Sequence, residues 1–439
     1  MGFLLVATWI LGWFIALIRN TFDWEESSAW FANRDKSNYN VSAEDTPYFK
    51  LRSYQVASVR DYRDSTRGLR YGLYQRGSGY KSAGDNEVAD PAIFALRDLL
   101  NNWDPDDTRP ELWETSAAHP DHHLPRDKRG VVRRLDFQNE EDMALALQYR
   151  QQEVPFVVFN VTELDAAVGK FSVRSLLQSF GSVPRAAERS DNNHFMYYSA
   201  KLSVKAALAY SDWRAPQVDV PLTFSKFLRL AERAETQRAA GVLPLHHLTI
   251  DAREGLRTPW VREALPFFDP HRENNFFIVD NRHFKGIHCS FGVRGLVQEA
   301  HYDSERDFVA VVRGRERYVL LPPSQCRKLS LLPHGHPSGR HSDVDWSDAA
   351  AVERAAPLGD ARATEAVISS GDILYLPSYW FHYVVSQDAT IQCNVRSGFS
   401  DAGKSFIDEC MSERAPAKSR VRAALKEGVL FDALSSTSN

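Results

Sequence analysis

Cysteine is scarce: the chain has four in 439 residues, and no two form a Cys-x-x-Cys pair. That excludes a zinc ribbon and argues against a disulfide-stapled scaffold. Cys289 and Cys393 sit in apolar, strand-like runs and read as small buried hydrophobes. A basic excess is also missing, since 53 Lys and Arg face 57 Asp and Glu, a net charge of −4. A surface that coats phosphates needs the opposite balance, so no nucleic-acid partner is expected. Long apolar runs are absent with one exception, residues 3–18, which read FLLVATWILGWFIALI. About 17–20 apolar residues suffice to cross a bilayer. Trp9 and Trp13 are bulky for a removable leader, and no small-x-small cleavage site follows. The run therefore predicts an uncleaved single-pass anchor in the endomembrane system.

Two signals disagree about the side of the membrane. Arg19 directly follows the run and favours a cytoplasmic body. Asn40-Val41-Ser42 and Asn160-Val161-Thr162 are glycosylation sequons, usable only in a secretory lumen. The side stays open on sequence alone.

What is present divides the chain into an anchor (1–19), a polar stalk (20–45), a helical and irregular extension (46–132), a folded domain (133–400) and a charged helical tail (401–439). In the extension, 92–100 has helical spacing, and His119, His122 and His123 read as a solvated loop. In the tail, Val421, Leu425 and Val429 recur at four-residue spacing, a stripe suited to packing. The folded domain opens with helices over 140–152, 173–180 and 222–235 and a strand over 154–159. Then come short β-rich runs at 276–279, 286–292, 307–312, 317–321, 366–368, 373–376, 383–385 and 391–395, separated by Gly, Pro, Asp or Ser. This predicts an α+β domain with a mainly β core, a double-stranded β-helix (jelly roll) flanked by helices.

The chemistry centres on His301 and Asp303, with His382 seventy-nine positions after Asp303. Residues two apart on a strand share a face, so His301 and Asp303 can reach one ion together, and His382 must join them from another strand. Two imidazoles and one carboxylate are the ligand set of non-haem Fe(II) oxygenases. His334, His336 and His341, near Pro333 and Pro337, read as a surface loop rather than a second metal site.

Several strings point to a family. They are Val154-Pro155-Phe156-Val157, Ala300-His301-Tyr302-Asp303, the run from Gly314 to Pro323, and Gly371-Asp372-Ile373-Leu374-Tyr375-Leu376-Pro377 followed by Tyr379-Trp380-Phe381-His382. In this order they resemble the JmjC-type, cupin-like oxygenases, and in texture the factor-inhibiting-HIF asparaginyl hydroxylases. The resemblance implies a protein or peptide substrate, dioxygen, Fe(II) held by His301, Asp303 and His382, and 2-oxoglutarate as co-substrate. It also implies a homodimer through C-terminal helices. Asn394 matches a co-substrate asparagine, and Arg396 lies on the same strand face. With Gln298 and Arg317 they are the candidates for holding 2-oxoglutarate, while Tyr302, Trp380 and Phe381 would wall the site. The sequence departs from the family at Glu316, where relatives place a lysine for the distal carboxylate, and at Asp307, where they often have a neutral polar residue. These departures sustain a competing reading, a metal-binding module without 2-oxoglutarate turnover. A cupin of other chemistry, such as an isomerase, is a further competitor.

Overall fold

The computed structural model describes residues 94–101, 132–181, 183–199, 215–237, 244–333, 335–355 and 357–412. The apolar run at 3–18, the sequon at Asn40, the histidines at 119–123, His334 and the stripe at 421–429 lie outside these residues. Among the described residues no helix is long and apolar enough to cross a membrane.

Two sheets face each other, with strands numbered in chain order. The larger runs, in spatial order, β2 (Arg133–Asp136), β3 (Phe156–Phe159), β13 (Ile373–Leu376), β10 (Glu305–Arg313), β15 (Thr390–Phe399), β8 (Phe284–Gly292), β7 (Leu245–Ile250), β4 (Arg185–Ser190) and β6 (Val218–Leu222). The smaller runs β1 (Phe94–Ala95), β12 (Arg362–Ser369), β11 (Arg315–Leu321), β14 (Phe381–Ser386), β9 (Val297–Tyr302) and β5 (His194–Phe195). The strands expected at 373–376 and 391–395 form in place. The one expected at 276–279 does not: it is a turn in which Asn275 Oδ1 accepts the Phe277 amide. Phe277 is buried and Phe276 half-buried, in a ring cluster with Phe137, Phe267 and Phe308. An apolar run reports burial before it reports strand.

Side-chain alternation sorts the strands into layers. On β10, Val309 and Val311 point between the sheets and meet Tyr318, Leu320 and Val384 of the smaller sheet. Phe308, Ala310 and Val312 point outward, into a core capped by helices. Those helices are α2 (Glu140–Gln151), α3 (Thr162–Lys170), α4 (Val173–Phe180) and α5 (Phe224–Gln237), with α1 (Leu96–Asn101) on the other sheet. Helix α4 shows the logic: Ser172 caps it by accepting the Ser175 amide, and Val173, Leu176 and Phe180 form the buried stripe. Each such side chain contributes about 1.5–3 kcal/mol on full burial. The outer face of the smaller sheet is covered by α1, by α8 (Ala349–Arg354) and by α9 (Asp401–Ser412), through Leu96, Leu99, Val352 and Ile407. Between α5 and α8 lie α6 (Ala252–Arg257) and α7 (Pro259–Ala264).

Helix α6 lies directly on β8. A Cβ at Gly255 would stand 2.1 Å from Ile287 O, and one at Gly286 would stand 2.2 Å from Ala252 O. Gly286 also has φ +103, a region that L side chains avoid.

All four cysteines are paired, against the sequence expectation. Cys289 on β8 bonds Cys393 on β15, directly opposite in register, and Cys326 bonds Cys410 of α9. Cys289 and Cys393 are indeed buried, as expected of hydrophobes. Their bond was missed because the two are 104 residues apart, and spacing does not reveal pairing.

Candidate metal centre

β9 and β14 run antiparallel with His301 opposite His382. Asp303 follows the end of β9, and its carbonyl accepts the amide of Tyr379, 2.8 Å away, in the turn that leads into β14. The two ligand strands are thus tied at the ends that carry the ligands. Candidate ligating atoms of His301, Asp303 and His382 lie within 4.8 Å of one another, and the two imidazole rings are 4.1 Å apart. His301 Nδ1 donates to Glu299 O at 2.7 Å, and His382 Nδ1 to Trp380 O at 3.2 Å. With Nδ1 protonated, each ring presents Nε2 as its free lone pair, which is how a second shell orients metal-binding histidines. Burial lowers both imidazoles below their ordinary value, His301 further through His382 and His341, so both are neutral. Burial opposes ionisation of Asp303, yet the guanidiniums of Arg396 and Arg340 overcome it and hold the carboxyl well below the usual range. Arg340 Nη1 reaches Asp303 Oδ1 at 2.6 Å, and Arg396 Nη2 reaches Oδ2 at 2.6 Å. Two neutral imidazoles and an ionised carboxylate are the donor set that Fe(II) takes, so the residues fit the metal.

His301 and Asp303 line a cleft of about 860 Å³, together with Phe195, Tyr197, Val220, His247, His288 and Gln298 among others, and His382 stands beside them. Gln298 and His301 both line it although three residues apart, because a bulge opposite Tyr383 shifts the register of β9. Asn394 and Arg396 line it as the alternation predicted. Both, however, hold a carboxylate of the protein: Asn394 Nδ2 and Arg396 Nε donate to Asp307 Oδ2, at 2.6 and 3.2 Å. Burial pushes Asp307 up to about 6 in spite of Arg396. The Asn394 side-chain oxygen meets His288 Nδ1 at 3.2 Å, and burial, with Arg396 and His247 nearby, pushes His288 down to about 4.

Arg317 is elsewhere. It points outward from β11, 1% exposed, paired with Glu365 at 2.6 Å and donating to Leu99 O at 2.8 Å. Tyr302 and Phe381 also pack on the outer face, and Trp380 packs between the sheets beyond the cleft, so none of the three walls it. His341, read as a surface residue, is 1% exposed and stacks on His301 at 5.0 Å. Arg340 and His341 carried no periodic signal, because they belong to the irregular segment between β11 and β12.

Glu316 does face between the sheets, as the register of β11 requires. It is 1% exposed, takes hydrogen bonds from Tyr318 and Ser386, and has no cationic partner among the described residues. Burial pushes it up to about 7. A buried carboxyl does not fit the distal carboxylate of 2-oxoglutarate, so the family's usual anchor is absent at this position.

Comparison with known proteins bears on the family of the chain. Over 101 residues the chain is 32% identical to tRNA wybutosine-synthesizing protein 5 of Gallus gallus, covering 23% of this chain and 30% of that protein. A lysine-specific demethylase of Arabidopsis thaliana is 26% identical over 211 residues, 45% of this chain and 44% of the relative. The bifunctional arginine demethylase and lysyl-hydroxylase psr-1 of Caenorhabditis elegans is 23% identical over 299 residues, 65% of this chain and 66% of the relative. The alignment thus spans under a third of the first relative's length and about two thirds of the last one's. Residues 144–396 match the cupin-like domain, and as that is more than half of the chain, the protein belongs to the cupin-like domain family.

Proposed function

We propose that the protein is an Fe(II)- and 2-oxoglutarate-dependent dioxygenase of the JmjC type that hydroxylates a protein side chain. The observation that carries this is the convergence of His301, Asp303 and His382 at the edge of an open cleft, with both Nδ1 atoms already engaged by backbone carbonyls. The names of two relatives, a lysine-specific demethylase and a lysyl-hydroxylase, support a protein side chain as the substrate class. Bound Fe(II) with 2-oxoglutarate would supply dioxygen activation and oxygen insertion into a C–H bond. The residues of the chain have the remaining tasks. His301 and His382 offer neutral nitrogen donors. Asp303 offers a charge that Arg340 and Arg396 keep ionised. Gln298, Asn394 and Arg396 line the cleft and would face the co-substrate, and Phe195, Tyr197 and Val220 would give the substrate an apolar wall. Purified protein with Fe(II) is expected to convert 2-oxoglutarate to succinate, and His301→Ala to abolish it. Unchanged turnover in that variant would remove the assignment.

One observation favours a second reading, a metal-binding module without turnover. Glu316 stands where the family has a lysine, and Arg396 already serves Asp303 and Asp307. Affinity for 2-oxoglutarate measured with Mn(II), a redox-quiet substitute, separates the two: a module binds the metal and not the keto acid. An N-terminal membrane anchor and a dimer through C-terminal helices remain proposals from the sequence.

A further inference from the structure

We propose that the folded body lies on the luminal side of a secretory membrane and carries an N-linked glycan on Asn160. The inference is independent of the catalytic reading and rests on two separate features.

The first is the complete pairing of the cysteines. Cys289 meets Cys393 beneath the helices of the larger sheet, and Cys326 meets Cys410 on the outer side of the smaller one. The partners are 104 and 84 residues apart, yet no cysteine is left over. Glutathione and thioredoxin keep such thiols reduced in the cytosol, whereas a lumen lets the bonds form and persist. Each bond forms by loss of two thiol protons and two electrons. The electrons pass to a disulfide-carrying protein oxidant, which leaves as the dithiol.

The second is Asn160. It is exposed, one residue past β3, with φ +62, a conformation that asparagine tolerates. Thr162, the sequon hydroxyl, is exposed at the start of α3, and Val161 between them is not proline. Asn160 Nδ2 donates one hydrogen to Asp136 Oδ1 at 3.0 Å. The amide has a second hydrogen, so the native contact survives substitution of the other. In the transfer, C1 of an oligosaccharide leaves its polyprenyl diphosphate carrier. A new C1–N bond to Nδ2 forms, the amide releases one proton, and the diphosphate departs. Asn160 is absent from the cleft lining, so a glycan there leaves the cleft open. Arg19 argued for the opposite side; two buried disulfides outweigh one charge.

The test uses the full chain produced in a eukaryotic cell with its own N-terminus. Denatured without reductant, the protein is expected to take up no maleimide-polyethylene glycol, and after reduction to take up four. Peptide-N-glycosidase F should increase its mobility on a gel, and Asn160→Gln and Thr162→Val should each remove one glycan's share of that shift. Thr162→Val keeps the Asn160–Asp136 contact and so controls for misfolding. Four free thiols before reduction, or a glycosidase shift that both variants retain in full, would overturn the proposal.

Discussion

Glu316 provides a test of the burial argument that needs neither metal nor substrate. Its carboxyl is 1% exposed and its value is pushed from 4.5 up to about 7, with burial as the dominant cause. The unfolded chain releases this proton near 4.5, while the folded protein keeps it until about 7. Between those values the folded state binds more protons, so stability falls as pH rises. The stabilisation is fully present below pH 4.5 and lost through pH 7. At about 1.4 kcal/mol per unit, the whole window amounts to roughly 3 kcal/mol. Glu316→Gln removes the charge at nearly constant shape and keeps an acceptor for Tyr318. The variant is expected to match the parent at pH 4.5 and to exceed it by roughly 3 kcal/mol at pH 8. Urea denaturation at steps across this range measures the difference directly, and other titrating groups cancel between the two proteins. Parallel stability curves, or a less stable variant at pH 8, would refute the reasoning. Either would mean that a positive charge in contact with Glu316 keeps it ionised in the fold.

Three further outcomes are expected. Arg317→Ala strands the buried carboxylate of Glu365 and should destabilise the fold by about 3–5 kcal/mol in a denaturant titration, while metal affinity is unchanged. Asp303→Asn should weaken Mn(II) binding, followed by electron paramagnetic resonance, because the one anionic ligand is lost and Arg340 and Arg396 are left facing an uncharged group; equal affinity would place the metal elsewhere. Reducing the protein, or Cys326→Ser with Cys410→Ser, should lower the melting temperature, since closing a loop of 84 residues stabilises by about 4–5 kcal/mol; an unchanged melting curve would argue against the bond.

Much of this centre was legible along the chain because period two is a simple rule. It placed Asn394 and Arg396 on one face, whereas Arg317, expected at the co-substrate, alternates with Glu316 and so turns away from the cleft to Glu365. What escaped was whatever the rule does not cover. The bulge that brings Gln298 round to His301 breaks the period. β4 reads Arg-Ala-Ala-Glu-Arg-Ser, with no β-branched residue, and is held as a strand by pairing with β6 and β7. β6 contains Pro221, tolerated because it is the edge strand. Arg340 and His341 reach the centre through a loop whose path is set by tertiary contacts such as Ser342 N to Ala300 O. The roles of Asn394 and Arg396 were half visible: their direction followed from sequence, but their engagement by Asp307 needed the third dimension.

Where residues 252–257 meet β8, main chain touches main chain, with only hydrogen atoms between. Asp251, Ala252, Lys285 and Gly286 all border the opening there. That jamb therefore has no adjustable spacer, and anything bulkier than hydrogen at position 255 or 286 acts as a wedge. Variation that reshapes the entrance for a different guest is steered to the opposite post, at Phe195, Tyr197 and Arg340, where side chains rather than backbone set the width.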